Sequence, residues 1–468
     1  MPRVTIIGAG LAGSLLAIYL AKRGIEVDVY EARGEMRLEQ VDAGRSINLA
    51  LSDRGITALR QVGMDEYMLA EAVPMYGRMV HAPTGDTKLL PYSGRKGEYI
   101  NSVSRAGLNI ALLSEAEKYP GARFHFNMRC ADFDCGSGEA RFDSGTIVTN
   151  DTTIATDGAG SAVRQSMKEQ MPNFIESSIF LEHGYKELHI PPRAGDHQLE
   201  KNALHIWPRH RFMMIALPNF DGSFTCTLFL AHKGENLSGN EGAPREGESS
   251  QCTRPTGRVS ASTAAFDQLT DDASVLAFFE KEFPDAVPLM PTLVEDFFHN
   301  PTGNLGTIKC SPWNVNGKAL LLGDAAHAMV PFYGQGMNCA FEDVRVLASL
   351  IDENGPDWQT TFADFEEQRK PNADAICDMA EENFYEMRDA VADPVFQRKR
   401  ELETKLEQTY PDYFSKYSMV TFREDMPYAE AKARGNAQDQ HLMKICSEIS
   451  SANDLDLDHV IESVRRAN

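Results

Sequence analysis

The sequence predicts an α/β fold in which a parallel-sheet domain is interleaved with an antiparallel-sheet domain and a helical segment closes the chain. Three observations predict it. Val4 to Ile7 is an apolar run that breaks at Gly8, Gly10 and Gly13 just before a helix-periodic segment. Strand-like alternation then dominates an excursion, after which strands ending in Asp157-Gly158 and Gly323-Asp324 bring the first pattern back. From Gly336 onward the periodicity is mainly helical.

The opening unit is strand, tight turn and helix. Gly8 allows the turn, Gly10 lets the backbone approach a pyrophosphate, and Gly13 lets helix lie close on strand, with the helix N-terminus facing the anion. A second strand, Glu26 to Tyr30, ends at Glu31, where an acidic side chain can accept a hydrogen bond from an adenosine ribose. This order defines a Rossmann-like dinucleotide unit. By itself it does not choose between NAD and FAD.

Taken in order, a helical pattern runs from Arg54 towards Ala72. Met79 to Pro83 and Lys88 to Tyr92 alternate as strands about the turn Thr84-Gly85-Asp86. A helix opens at Arg105 and ends near Tyr119, and short strands follow at 123–126, 147–148 and 153–156. Strands are expected at 185–190, 203–207, 212–217 and 224–230, forming an antiparallel sheet with one face available for a ligand. Between Lys233 and Ser262 the composition turns to Gly, Ser, Pro, Glu and Thr, which predicts a mobile loop. Helical signal resumes at Ala273 to Phe283, a strand at Ala319 to Leu322, and helices over Gly336 to Asn354 and Trp358 to about Val391. The expected domains are therefore 1–72, 99–178 and 295–391 for the parallel-sheet unit, and 73–98 and 179–294 for the substrate unit. Residues 392–468 form the helical end piece.

Composition bounds the function. A chain of 468 residues suggests two or three domains, and a net charge of −22 spread along it argues against a nucleic-acid partner. Eight cysteines lack paired metal spacing, Cys130 and Cys135 being the only close pair, so no metal site is expected. The chain enters its first strand almost at once and no apolar run is long enough for a bilayer; the cytoplasm is the expected compartment.

A second chemical signal runs from Leu322 to Asn338. A buried strand ends in Gly323-Asp324, which puts a carboxylate at the carboxyl edge of the sheet, where ligands bind in open α/β folds. Such a group can accept hydrogen bonds from a ribityl chain; its other reading is a cap for the following helix. Gly334 and Gly336 clear space, and Met337-Asn338 begin a long helix whose free N–H groups can face an anion.

Together, Gly8 to Gly13, Asp157-Gly158 and Gly323-Asp324 resemble the three fingerprints of the single-component flavoprotein aromatic hydroxylases. Gly44 to Leu51, Gly77 to His81, Pro91-Tyr92, His183 to Tyr185, Leu204 to Pro208, Pro331 to Asn338 and Tyr417 to Phe422 look like the branch of that family acting on kynurenine. The resemblance covers nearly the whole chain. It implies bound FAD, NADPH as transient reductant, and O2-dependent hydroxylation of L-kynurenine through a flavin hydroperoxide, with no catalytic side-chain acid or base. It further implies FAD contacts from Gly8, Gly10, Ala12, Gly13, Tyr30, Glu31, Arg33, Ala50, Arg105, Cys130, Asp157, Gly158, Asp324, Met337 and Asn338. For the substrate it implies Arg78, Tyr92, Asn383 and Tyr417 at the amino-acid end. Met387 shares a helix face with Asn383, and Phe332, Leu204, Leu217 and Phe229 would enclose the ring.

Four departures are visible. Ala155-Thr156 precede Asp157 where the family more often has Gly and a smaller residue, and Tyr333 stands where members carry His or Phe. The 233–262 stretch is longer than usual, and eukaryotic members carry a carboxyl-terminal membrane helix not seen here. Two other readings stay open: an FAD monooxygenase acting on another aromatic acid, and a dinucleotide-binding redox sensor without hydroxylase activity. A flavin halogenase is disfavoured, since Trp207, Trp313 and Trp358 form no W-x-W motif. A homodimer is the candidate assembly, and the oligomeric state is otherwise open.

Overall fold

The structure, a computed structural model, describes residues 3–38, 48–234, 264–389, 393–452 and 455–467. Gly44 to Ile47, residues 235–262 of the expected loop and the expected boundary at 391/392 lie outside the described residues.

A five-stranded sheet is built in the order Ala319–Leu321, Thr152–Ala155, Arg3–Ile7, Glu26–Tyr30, Ala122–His125, and every pairing is parallel. Its central strands are buried on both faces, as parallel sheets generally are, one face apolar and the other carrying the buried Thr5, Asp28 and Thr153. Val4, Ile6, Val27 and Val29 are all fully buried. The helix Leu11–Lys22 lies close against the first strand. A Cβ on Gly13 would stand 2.0 Å from the Gly8 carbonyl oxygen, so only glycine permits this approach.

The second large sheet has seven strands, in the order Gly303–Ser311, Ile175–Ile190, Phe224–Ala231, Met213–Pro218, Leu204–Pro208, Gly77–His81, Thr87–Pro91. All its pairings are antiparallel except that of Leu204–Pro208 with Gly77–His81. The strand expected at 185–190 is sixteen residues long, Ile175–Ile190. Its first half pairs with Gly303–Ser311, a strand the sequence reading did not anticipate. Gly303, Asn304 and Gly306 interrupt any alternation there, and the strand exists because a partner edge is present.

Other differences have similar causes. The helix expected over 54–72 is two helices, Asp53–Val62 and Asp65–Ala70, because Gly63 takes φ 79° and ends the first. The hairpin expected at 79–83 and 88–92 is in register one or two residues earlier, as Gly77–His81 and Thr87–Pro91. The helix starting at Arg105 stops at Ala116 rather than near Tyr119. Cys130–Phe133 and Ala140–Phe142 join the expected 147–148 strand in a small antiparallel sheet.

Gly336–Asn354 is one helix, as its periodicity predicts, and it is braced from below. Arg54 Nη1 pairs with Glu342 at 3.1 Å, Arg369 Nε donates to Asp343 at 2.7 Å, and His327 Nε2 lies 2.6 Å from the other Asp343 oxygen. These groups are almost wholly buried, which fixes one orientation of the helix at a desolvation cost. The described residues after 392 form four helices: Pro394–Thr409, Lys416–Phe422, Tyr428–Ser447 and Leu457–Ala467. Leu402, Leu406, Leu442 and Val460 give them a small core of their own. No helix among the described residues is long and apolar enough to cross a membrane.

Candidate functional site

Four adjacent strands of the parallel sheet end on one edge, and each delivers a residue expected at a cofactor. The first opens into Gly8, which has φ 101° and donates its N–H to the Tyr30 carbonyl at 2.7 Å. Gly10 follows at the helix N-cap, and a Cβ there would meet no protein atom within 4 Å. The second strand ends at Glu31. Its Oε2 accepts from the Ala9 N–H at 2.8 Å, and its Oε1 accepts from the main-chain N–H and Nε of Arg33 at 2.9 and 2.8 Å. Burial pushes this carboxyl up, but the Arg33 and Ala9 bonds outweigh it and hold Glu31 below the usual carboxylate range.

The third strand ends at Asp157-Gly158. Asp157 Oδ2 accepts from the Ala162 N–H at 2.8 Å, while the buried Oδ1 has no protein partner. Burial raises this carboxyl, with Ser161 and Ala162 opposing. Thr156 turns out to be a tie: its Oγ1 lies 2.8 Å from the Gly8 carbonyl and 3.1 Å from that of Ile7. The hydroxyl thus links the third strand to the glycine turn, where a smaller residue would leave a gap. The fourth strand ends at Gly323-Asp324, with Asp324 exposed at the start of a short helix. A Cβ on Gly323 would lie 3.7 Å from the Ala12 methyl, so this fingerprint and the first are in contact.

Asn338 sits at 0 % exposure with its side chain fully used. Its Nδ2 donates to the Ala50 and Gly334 carbonyls at 2.8 and 2.9 Å, and its Oδ1 accepts from the Ser52 N–H at 2.9 Å. A contact with a cofactor would come from its main chain, beside the buried Met337. Tyr30 is likewise a packing residue, its ring centroid 4.6 Å from each of His125 and Phe142. Cys130 is buried and Arg105 exposed at the start of its helix.

Next to the Pro331 to Asn338 segment lies a second group. The Tyr92 and Tyr417 rings stack at 5.0 Å, with the Arg78 guanidinium 5.8 and 5.5 Å from their centroids. Arg78 also faces Glu386 at 3.7 Å. Asn383 Nδ2 donates to the Phe332 carbonyl at 2.6 Å and lies 3.5 Å from the Met387 sulfur. Phe332 packs on Phe229 at 4.8 Å, and Leu204 is the ladder partner of Arg78. Leu217 joins the same core from the neighbouring strand. Burial raises the Tyr92 and Tyr333 phenols, so both stay protonated. Beside this group is a cavity walled by the helical end piece: Lys399, Arg400 and Glu403 line it together with Tyr333, Asn383, Glu386 and Tyr417.

The sequence reading missed Glu386, the cations of the end piece and the Thr156 tie. Glu386 was findable, since it stands three residues after Asn383 on one helix face. Lys399 and Arg400 were not, because nothing local says where a distant helix docks.

Comparison with known proteins defines the class. The FAD binding domain family matches residues 1–231 and 302–380. Among solved structures, 2-methyl-3-hydroxypyridine-5-carboxylic acid oxygenase is similar with a TM-score of 0.65 at 19% identity, covering 86% of this chain and 97% of that one. A Klebsiella pneumoniae HpxO variant complexed with FAD has a TM-score of 0.64 at 19% identity, covering 86% and 95%. At such identity these show the fold. Closer relatives are named kynurenine 3-monooxygenase. That of Myxococcus xanthus is 45% identical over 99% of this chain and 94% of its own length, and that of Stenotrophomonas maltophilia 46% identical over 97% and 94%. The chain belongs to the kynurenine 3-monooxygenase family of FAD-binding monooxygenases.

The residues present fit FAD. The open space over Gly10 suits a pyrophosphate, and the unpartnered Asp157 Oδ1 and exposed Asp324 offer acceptors for hydroxyls along the same edge.

Proposed function

We propose that the protein converts L-kynurenine to 3-hydroxy-L-kynurenine with NADPH as reductant and O2 as oxygen source. Bound FAD would supply the redox chemistry, reduction at the expense of NADPH and activation of O2 for hydroxylation of the ring. In this reading the parallel-sheet unit holds FAD and the antiparallel sheet, with the helical end piece, holds the substrate. Gly10 admits the pyrophosphate, Glu31 and Arg33 face the adenosine ribose, and Asp157 and Asp324 accept from cofactor hydroxyls.

The observation that carries the substrate assignment is the Arg78–Tyr92–Tyr417 group. A guanidinium grips a carboxylate through two parallel hydrogen bonds, and the two phenols add directional donors. Asn383 spends its Nδ2 on Phe332, which leaves Oδ1 to accept from the substrate's α-ammonium. Phe332, Phe229 and Leu204 enclose the aromatic ring, and Tyr333 keeps water from the reacting position. The aromatic amine of kynurenine makes its ring electron-rich, so attack beside it needs no side-chain base. The proposed compartment is the cytoplasm, with which the seven unpaired described cysteines agree.

The test uses purified protein holding FAD, supplied with NADPH, air and a panel of aromatic acids. L-Kynurenine should give the 3-hydroxy product and should speed NADPH oxidation. Product from another acid alone would refute the assignment, and FAD binding without any substrate-stimulated oxidation would point to a redox sensor.

A further inference from the structure

Two motifs that carry the family resemblance, Gly77 to His81 and Leu204 to Pro208, hold histidines with no part in the proposed chemistry. Strand alternation puts Arg78 and Leu204 on the face towards Phe332, and His81, His205 and Trp207 on the opposite face. There they form a buried chain. His205 Nε2 lies 2.8 Å from the Glu200 carbonyl, His205 Nδ1 lies 2.8 Å from His81 Nε2, and His81 Nδ1 lies 2.7 Å from Asp285 Oδ2.

The direction of each bond is fixed by what its ends can do. A carbonyl only accepts, so His205 Nε2 carries a proton. Burial lowers His205 to about 4, so its ring holds no second proton and Nδ1 must accept. His81 Nε2 therefore donates. At the other end burial raises the Asp285 carboxyl, but hydrogen bonds from His81 and Trp207 outweigh it and hold it below the usual range. Trp207 Nε1 donates to it at 2.9 and 3.0 Å. A carboxylate only accepts, so His81 Nδ1 donates as well. The His81 ring also stacks on Trp207 with centroids 4.0 Å apart at 24°, an arrangement that favours a cation over the indole face. The other charged group against it is Arg209, whose Nη1 donates to the His81 carbonyl and whose Nε donates to the Glu282 carbonyl.

We propose that His81 is a buried imidazolium paired with Asp285, and that this chain positions Arg78, three residues back on the same strand. That strand is five residues long and is joined to Leu204–Pro208 by a ladder spanning Arg78 to Val80 only. Its other edge is held along all five residues by Thr87–Pro91, so the side-chain chain is a further attachment on the Leu204–Pro208 side, reaching across to His205 and out to the segment after the helix Asp272–Glu282. The positioning part rests on the proposed substrate role of Arg78, and the imidazolium does not.

The experiment is nitrogen NMR on the FAD-loaded protein with ¹⁵N-histidine, at about pH 7.5, where a free imidazole is mostly neutral. One ring should show both nitrogens protonated, and that signal should vanish in His81→Phe. In Asp285→Asn, whose amide can donate to Nδ1, the same ring should become neutral. A neutral His81 in the unaltered protein overturns the imidazolium. For positioning, His81→Phe should raise KM for L-kynurenine about tenfold with FAD affinity and kcat little changed. Asp285→Asn, which keeps the chain bonded, should leave KM near the unaltered value. Should His81→Phe not fold, Asp285→Ala against Asp285→Asn makes the same comparison. An unchanged KM overturns the positioning role while Arg78→Ala raises it. If Arg78→Ala leaves KM unchanged too, the substrate reading fails instead.

Discussion

Gly10 and Gly13 belong to one motif, yet adding a methyl group to each should fail in different ways. In Gly13→Ala the new carbon would stand 2.0 Å from the Gly8 carbonyl oxygen and 2.6 Å from Thr156 Oγ1. Carbon and oxygen need about 3.3 Å, so helix and turn must part by about an ångström, and the fold should lose about 3 kcal/mol or more. Gly10 has φ −71° and ψ −172°, which any residue adopts, and a methyl there meets no protein atom within 4 Å. Stability of the FAD-free protein should therefore change by no more than about 0.5 kcal/mol. The methyl instead occupies the space proposed for the pyrophosphate. Losing one charge-assisted bond of about 1.5–3 kcal/mol should weaken FAD about ten- to hundredfold. Urea unfolding of the FAD-free proteins and fluorescence titration with FAD separate the two effects. The reasoning is refuted if Gly10→Ala retains FAD as tightly as the parent, or unfolds as early as Gly13→Ala.

Three further outcomes follow from the geometry. Arg78→Ala should weaken L-kynurenine by about 2–4 kcal/mol, since a carboxylate loses its paired donor, with FAD retention unchanged; equal loss of both, by parallel titrations, removes Arg78 from the substrate role. Thr156→Val keeps the shape but removes the hydroxyl from the Gly8 and Ile7 carbonyls. It should cost about 1 kcal/mol in urea unfolding and weaken FAD without moving KM for the substrate. Asp53 is raised to about 6 by burial, with Glu424 and Glu98 adding to it. A folded value above the unfolded one gives stability that is complete below about pH 4 and lost as pH rises through about 6. Asp53→Asn should therefore stabilise the protein by about 1 kcal/mol at pH 8, the gain being tempered by its helix N-terminal position, and not at pH 4. A gain of equal size at both pH values would show that ionisation of Asp53 is not its source.

Much of this was legible in one dimension. The glycine spacing, the carboxylate after the second strand and the strand-then-Gly-Asp signal at 323–324 depend on neighbours within a turn or two, so the sequence determined them by itself. The same holds for the helix Gly336–Asn354, whose period runs unbroken, and for the apolar face of the parallel core, where Val4, Ile6, Val27 and Val29 are fully buried. The tertiary structure decided what depends on distant partners. Gly303–Ser311 is a strand only because Ile175–Phe180 offers it an edge. Thr156 is a tie only because the Gly8 carbonyl lies 2.8 Å away. Asn338 proves to tie its helix to Ala50, Ser52 and Gly334 with its side chain, and Lys399 and Arg400 reach the cavity because the end helices fold back over it. His81 and His205 were visible as letters of two motifs. Their protons follow only from where the chain of acceptors begins and ends, at the Glu200 carbonyl and the Asp285 carboxylate.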